Sequence, residues 1–146
     1  MKKFLIATHG ELSKEFIETS KLIVGSLSNV EYFCMTKDKS GDDAEKEMKR
    51  ILSNKSEEEK YIVLTDIFGG SVANLCTNLL LNGYEFELIT GINLPMILTI
   101  LLSGEDDIET LVKNGIEEAR KGIIYVNELL KSNKERNEED DIIDEN

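Results

Sequence analysis

The sequence predicts an α/β domain built on a doubly wound, mainly parallel sheet of strand order 2-1-3-4, flanked by helices. Three observations predict it. Short runs rich in β-formers alternate with stretches of helical period; the third of these runs is nearly all apolar, as in a strand covered on both faces; and glycine-bearing turns follow the strands. A length of 146 residues suits one domain, and an apolar content of 40% suffices to bury a core.

Residues 3–8 form the first strand. The opening Met1-Lys2-Lys3 followed by four apolar residues resembles the start of a secretory signal, but Thr8-His9-Gly10 interrupts it before an adequate apolar region has accumulated. A helix over 11–25 follows, with Leu12, Phe16, Ile17, Ile23 and Val24 near the helical period. The second strand covers 30–35, and the second helix, 40–52, opens on Ser40 with Asp43 three residues on and sets Ala44, Met48 and Ile51 on one face. After a charged loop, 61–65 is the apolar third strand, and Asp66-Ile67-Phe68-Gly69-Gly70 turns the chain into a helix from Ser71 that Gly83 stops.

The fourth strand runs over 85–90, and Pro95 then sits where the first turn of a helix accepts proline. Within that helix the apolar residues 96–102 serve either as core or as a subunit interface. A further helix spans about 107–121, and 122–126 reads equally as a last strand or as a continuation of that helix. From 131 to 146 the chain carries seven acidic residues against three basic ones and reads as a disordered acidic tail, which leaves 1–130 as the domain.

The whole chain bears a formal charge of −12. It has no concentrated basic stripe, which argues against nucleic acid and anionic membrane surfaces as partners. Its longest apolar stretch, 94–102, is far too short to insert across a membrane. Cys34 and Cys76 stand apart with no Cys/His cluster, which suits a reducing cytoplasm and supplies no zinc site.

In the order 2-1-3-4, strands 1 and 3 meet at the topological switch point, and ligands bind beyond their carboxyl ends. His9, the only histidine, follows strand 1, and Asp66 follows strand 3. This places an imidazole beside a carboxylate that holds its Nδ1 proton, leaving Nε2 as nucleophile or base. Gly69, Gly70 and Ser71 add a flexible turn, a hydroxyl and helix-terminal N–H groups, which together cradle an anion and point to phosphoryl transfer. Taken singly, each feature also suits an ordinary turn or helix cap. Neither a P-loop nor a dinucleotide fingerprint is present. Gly91-Ile92-Asn93-Leu94-Pro95-Met96, at the same sheet edge, is a capped helix start that also suits a wall of the crevice.

Thr8-His9-Gly10, Asp66 through Ser71 with Asn74, and the segment from Gly91 to Met96 together resemble the IIA domain of the mannose family of the bacterial sugar phosphotransferase system, over about residues 2–127. The resemblance implies a phosphoryl carrier in the cytoplasm. His9 would accept the group at Nε2 from the phosphohistidine carrier HPr and pass it to an EIIB component, with the membrane components EIIC and EIID reached through that complex. Asp66 would orient the ring through Nδ1, and the amides of Phe68, Gly69, Gly70 and Ser71, with the Ser71 hydroxyl, would hold the phosphoryl oxygens. No cofactor or metal is implied. The family also implies a homodimer in which 122–126 is an antiparallel edge strand exchanged between subunits.

Ile67, Phe68 and Val72 stand where family members often carry Thr, Trp and Pro, so position 67 offers no hydroxyl. Two other readings use the same crevice. One is a non-catalytic binding or regulatory module; the other is a receiver-like switch phosphorylated on Asp66, which lacks the acid pair after strand 1 that would hold Mg²⁺.

Overall fold

The computed structural model of the protein describes residues 1–144. Four strands, β1 (Lys2–His9), β2 (Val30–Met35), β3 (Lys60–Thr65) and β4 (Glu87–Thr90), form one sheet in the order β2-β1-β3-β4 with every neighbouring pair parallel, as the alternation of strands and helices predicts. The helices are α1 (Leu12–Val24), α2 (Gly41–Ser53), α3 (Ser71–Leu81), α4 (Leu94–Leu102), α5 (Ile108–Lys121) and α6 (Val126–Asp144).

The period-2 alternation of the two central strands divides the core in two. Leu5, Ala7, Tyr61 and Val63 face α2 and α3, where Ala44, Met48, Ile51, Val72, Cys76 and Leu79 complete one apolar layer. Phe4, Ile6, Ile62 and Leu64 face the other way, onto Ile17, Met96, Ile97, Ile100 and Leu111. Because β1 and β3 are covered on both faces, the apolar run in β3 has no polar side to show.

Helix α1 differs from its sequence pattern. Its buried positions are Ser13, Ile17 and Ser20, while Leu12 and Ile23, which the helical period places on the core face, lie exposed. The reason is hydrogen bonding: the Ser13 hydroxyl donates to the Phe33 carbonyl at 2.7 Å and the Ser20 hydroxyl to the Phe16 carbonyl at 2.6 Å. With their hydroxyls satisfied, two small side chains let the helix approach the sheet closely. Helix α2 follows its pattern, with Ser40 accepting the Asp43 N–H at 3.1 Å.

In α4, Met96, Ile97 and Ile100 are buried, so this helix belongs mainly to the core. Asn93 accepts the Met96 N–H at 3.1 Å and donates its amide to the Ala119 carbonyl at 2.9 Å, tying the start of α4 to the end of α5. A Cβ at Gly115 would come within 2.6 Å of Ile100, so glycine is what lets α4 and α5 pack this closely.

The C-terminal region departs from the sequence reading from residue 131 onward. Residues 123–125 are neither strand nor helix and pair with no strand among the described residues. A strand needs a neighbour to take its hydrogen bonds, and the single chain sets none beside this segment. The region from 131, expected to be disordered, is instead helical through Asp144. Its Glu, Lys, Arg and Leu are good helix formers, and Lys131/Glu135, Lys134/Glu138 and Arg136/Asp140 have the i,i+4 spacing of opposite charges. Exposure of side chains up to residue 140 explains why no apolar stripe marks it as a helix in the sequence. No helix among the described residues is long and apolar enough to cross a membrane.

Replacing Ile97, wholly buried between α4 and the sheet, with alanine is expected to lower the unfolding free energy by about 2–5 kcal/mol. Leu22→Ala on the exposed side of α1 should change it by less than about 0.5 kcal/mol. Urea titration of both variants measures the contrast.

Candidate functional site

The carboxyl ends of β1 and β3 bring His9 and Asp66 together, as the strand order requires. Ala7 and Thr65 are register partners, so the two strands finish side by side. Asp66 Oδ2 accepts two hydrogen bonds from the same residue, the His9 backbone N–H at 3.0 Å and the ring Nδ1–H at 3.0 Å. The backbone bond anchors the histidine's main chain, and the ring bond selects its tautomer.

With the proton on Nδ1, Nε2 keeps its lone pair, and the Ser71 hydroxyl donates to it at 3.0 Å. Ser71 opens α3, as the sequence predicts, with Gly70 as the N-cap and the Ser71 hydroxyl turned to His9 rather than to the helix backbone. The turn before it depends on two glycines for different reasons. Gly69 has φ +81°, which strains any residue with a Cβ, while a Cβ on Gly70 would stand 2.8 Å from both His9 Cε1 and Ile67 Cγ2. Gly70 is thus the residue that gives the imidazole its room.

Of the four amides expected to hold an anion, the Gly70 N–H is engaged, donating to the Ile67 carbonyl at 3.2 Å to close the turn. The amides of Phe68, Gly69 and Ser71 have no backbone acceptor among the described residues, and those of Val72 and Ala73 belong to the open first turn of α3. The Asn74 amide donates to the Gly69 carbonyl at 3.2 Å and braces the turn from inside the helix. The segment from Gly91 to Met96, offered as a possible wall, acts as a helix start through the Asn93 cap.

The His9 side chain is 44% exposed and that of Asp66 16%. Burial pushes the Asp66 carboxyl up, but the His9 backbone and ring N–H groups pull it down further, so it titrates below its ordinary 3.8. Phe68, 86% exposed, and Ile67 form an apolar rim in the same turn. A shallow groove of about 320 Å³ begins at Ser71 and runs between Met35, Ala44 and Leu75. The larger hollows, of about 410 and 400 Å³, lie around Lys55 and Tyr84, at the end of the sheet away from His9. A half-exposed imidazole beside an apolar rim is open to a reacting group presented by another protein.

Thr8 and Ser13 were not among the sequence-predicted site residues. Thr8 Oγ1 accepts the Ser13 N–H at 2.7 Å, capping α1 from inside the fold just before His9. A buried threonine next to the only histidine was the available signal, and it is a weak one without knowledge of what faces it.

A family description, EIIA-man: PTS system fructose IIA component, matches residues 3–115. The chain is 24% identical over 121 residues to the PTS system mannose-specific EIIAB component of Escherichia coli (strain K12), a match covering 82% of this chain and 38% of that protein. The chain therefore spans well under half of that relative's length. It is 26% identical over 101 residues to the PTS system fructose-specific EIIA component of Bacillus subtilis (strain 168), 69% of each. The crystal structure of phosphotransferase system component EIIA from Streptococcus agalactiae has the same fold, with a TM-score of 0.78 at 24% identity over 87% of this chain and 98% of that one.

Because the folded Asp66 carboxyl titrates below its ordinary value, its stabilising contribution is complete above about pH 4 and is lost as pH falls through the folded value. Unfolding free energies of the parent and Asp66→Asn, measured across pH 2–7, should therefore differ most near neutrality and converge at the acid end.

Proposed function

The chain belongs to the EIIA-man family, PTS system fructose IIA component, and on that premise we propose that His9 takes a phosphoryl group from phosphorylated HPr and hands it to an EIIB component. The observation that carries this reading is a single one: a half-exposed imidazole is clamped at Nδ1 by Asp66 and presents Nε2 to the hydroxyl and open amides at the start of α3.

In the transfer the donor's P–N bond breaks and a bond forms between phosphorus and His9 Nε2, with the donor imidazole leaving on its own electron pair. The Nδ1 proton stays on the His9 ring throughout, and the Asp66 carboxylate offsets the positive charge that the ring gains. Ser71 has to release Nε2 for the reaction; turning about its Cα–Cβ bond moves its O–H donor to a phosphoryl oxygen. The free amides of Phe68, Gly69 and Ser71, with the positive end of the α3 dipole, neutralise the remaining oxygen charge. Phosphoryl transfer requires chiefly such positioning and charge stabilisation, and this chain's own residues supply both without a cofactor.

The exposed Ile67 and Phe68 are the contact surface we assign to HPr and EIIB, which meet the site in turn. Since the chain is strongly acidic, partner faces with basic residues favour encounter, and added salt slows it. The carrier would act in the cytoplasm, reaching the membrane components EIIC and EIID through EIIB. Exposed Ile123, Ile124, Tyr125 and Val126 support a homodimer in which this segment gains the strand neighbour it lacks in the single chain.

Incubation with phosphoenolpyruvate, enzyme I and HPr should add one acid-labile phosphoryl group to the intact mass, and His9→Ala should abolish the gain. Undiminished acceptance by His9→Ala would sink the proposal. Asp66→Asn should remain folded and accept about 10- to 100-fold more slowly. Gly70→Ala, which pushes a methyl group against the imidazole, should slow acceptance by about 100-fold with His9 and Asp66 both in place.

A further inference from the structure

Among the described residues, two side-chain oxygens are removed from solvent and lack a hydrogen-bond partner: Asp66 Oδ1 and Thr90 Oγ1. Buried polar atoms are rarely left unpaired, so each asks for an explanation. Their chemistry is complementary, because an ionised carboxylate only accepts whereas a hydroxyl donates. The residues that carry them are neighbours along the sheet edge. Thr65 and Thr90 are partners in the β3–β4 ladder, Asp66 is the residue after Thr65, and adjacent strands lie about 4.8 Å apart. The Ile92 N–H donates to the Thr65 carbonyl at 3.3 Å, which holds the chain leaving β4 against the end of β3. Thr65 does not compete for the link, since its own hydroxyl donates to the Ile89 carbonyl at 3.3 Å.

We propose that Thr90 is a positioning residue of the His9 site, its hydroxyl linked to Asp66 Oδ1 through one enclosed water. Asp66 spends a single oxygen, Oδ2, on both of its bonds to His9. A carboxylate held at one oxygen is free to turn about its Cβ–Cγ bond, and a donor on the second oxygen stops that rotation. The donor also draws charge away from Oδ2, which makes that oxygen a poorer base and keeps the shared proton on His9 Nδ1. The Nε2 lone pair is thereby preserved for the incoming group. His9 is the titratable side chain whose charge acts on this carboxylate.

The consequence for phosphoryl acceptance rests on the carrier reading, but the link itself does not, so the test has two independent readouts. Thr90→Val keeps the shape of the side chain and removes the hydroxyl; Thr90→Ser keeps the hydroxyl. In carbon-detected NMR titrations, Thr90→Val should raise the Asp66 carboxyl midpoint by about half to one pH unit, with Thr90→Ser staying near the parent. Acceptance from phosphorylated HPr should fall about three- to tenfold in Thr90→Val and recover in Thr90→Ser. In an Asp66→Asn background, Thr90→Val should produce no further loss. An unmoved Asp66 midpoint in Thr90→Val overturns the proposal, and so does an equal displacement in Thr90→Ser or an additive loss in the double variant. A parent that accepts no phosphoryl group would instead overturn the carrier reading, while the titration would still decide the role of Thr90.

Discussion

The parallel pairing of β1 with β3 is the constraint on which the rest of the structure depends. Both strands are buried on both faces, so their register is pinned twice, by the layer under α2 and α3 and by the layer under α1, α4 and α5. A slip of one residue would turn Leu5 and Ala7 into the layer that Phe4 and Ile6 occupy, and both layers would have to be repacked. The same register sets Ala7 beside Thr65 and so leaves Asp66 level with Thr8, one residue short of His9, where its carboxylate reaches the His9 N–H groups. Core packing and site geometry are therefore one specification.

Around that pairing, polar side chains act as clamps on the loops that leave the sheet. Thr8 and Ser13 join β1 to α1, and the Ser13 hydroxyl continues to β2 through the Phe33 carbonyl. Asn74 braces the glycine turn, and Asn93 fastens α4 to the end of α5. Each clamp is a hydrogen bond between a polar side chain and a backbone group of another segment. The result is a rigid platform at one end of the sheet, with the imidazole held through its backbone and its ring by the same carboxylate oxygen. On the proposed carrier reading such fixed placement matters, because phosphoryl transfer draws its rate from placement rather than from any strong acid or base.

On the proposed carrier reading the surface around the platform suits encounter and release. His9 lies open rather than at the bottom of a pocket, and Phe68 projects beside it where a partner's apolar face can cover both. A carrier has to meet a donor and then an acceptor, so a shallow, shared contact serves it better than a deep one that holds either partner for long. The acidic charge of the chain adds a long-range component that salt screens.

Much of this was legible in the sequence because the signals were local and of the right period. Alternating strand and helix patterns, together with the apolar third strand, implied the strand order, and the order alone put His9 and Asp66 in one crevice. What escaped the sequence lay where local pattern and tertiary setting disagree. In α1 the apolar residues marked a face, yet the buried positions include Ser13 and Ser20: the Phe33 carbonyl that takes the Ser13 hydroxyl arrives only with folding, while Ser20 bonds back to Phe16 one turn earlier in the same helix. The region from 131 looked too polar to be ordered, although helix propensity and charge spacing sustain α6 without a buried face. By itself the sequence determined the topology and singled out His9 and Asp66 as neighbours at one end of the sheet, since periodicity and residue chemistry are properties of the chain alone. The tertiary structure decided which atoms meet: Oδ2 on Nδ1, the Ser71 hydroxyl on Nε2, and Gly70 against the ring, because these distances arise only when strands and loops far apart in the chain are packed into contact.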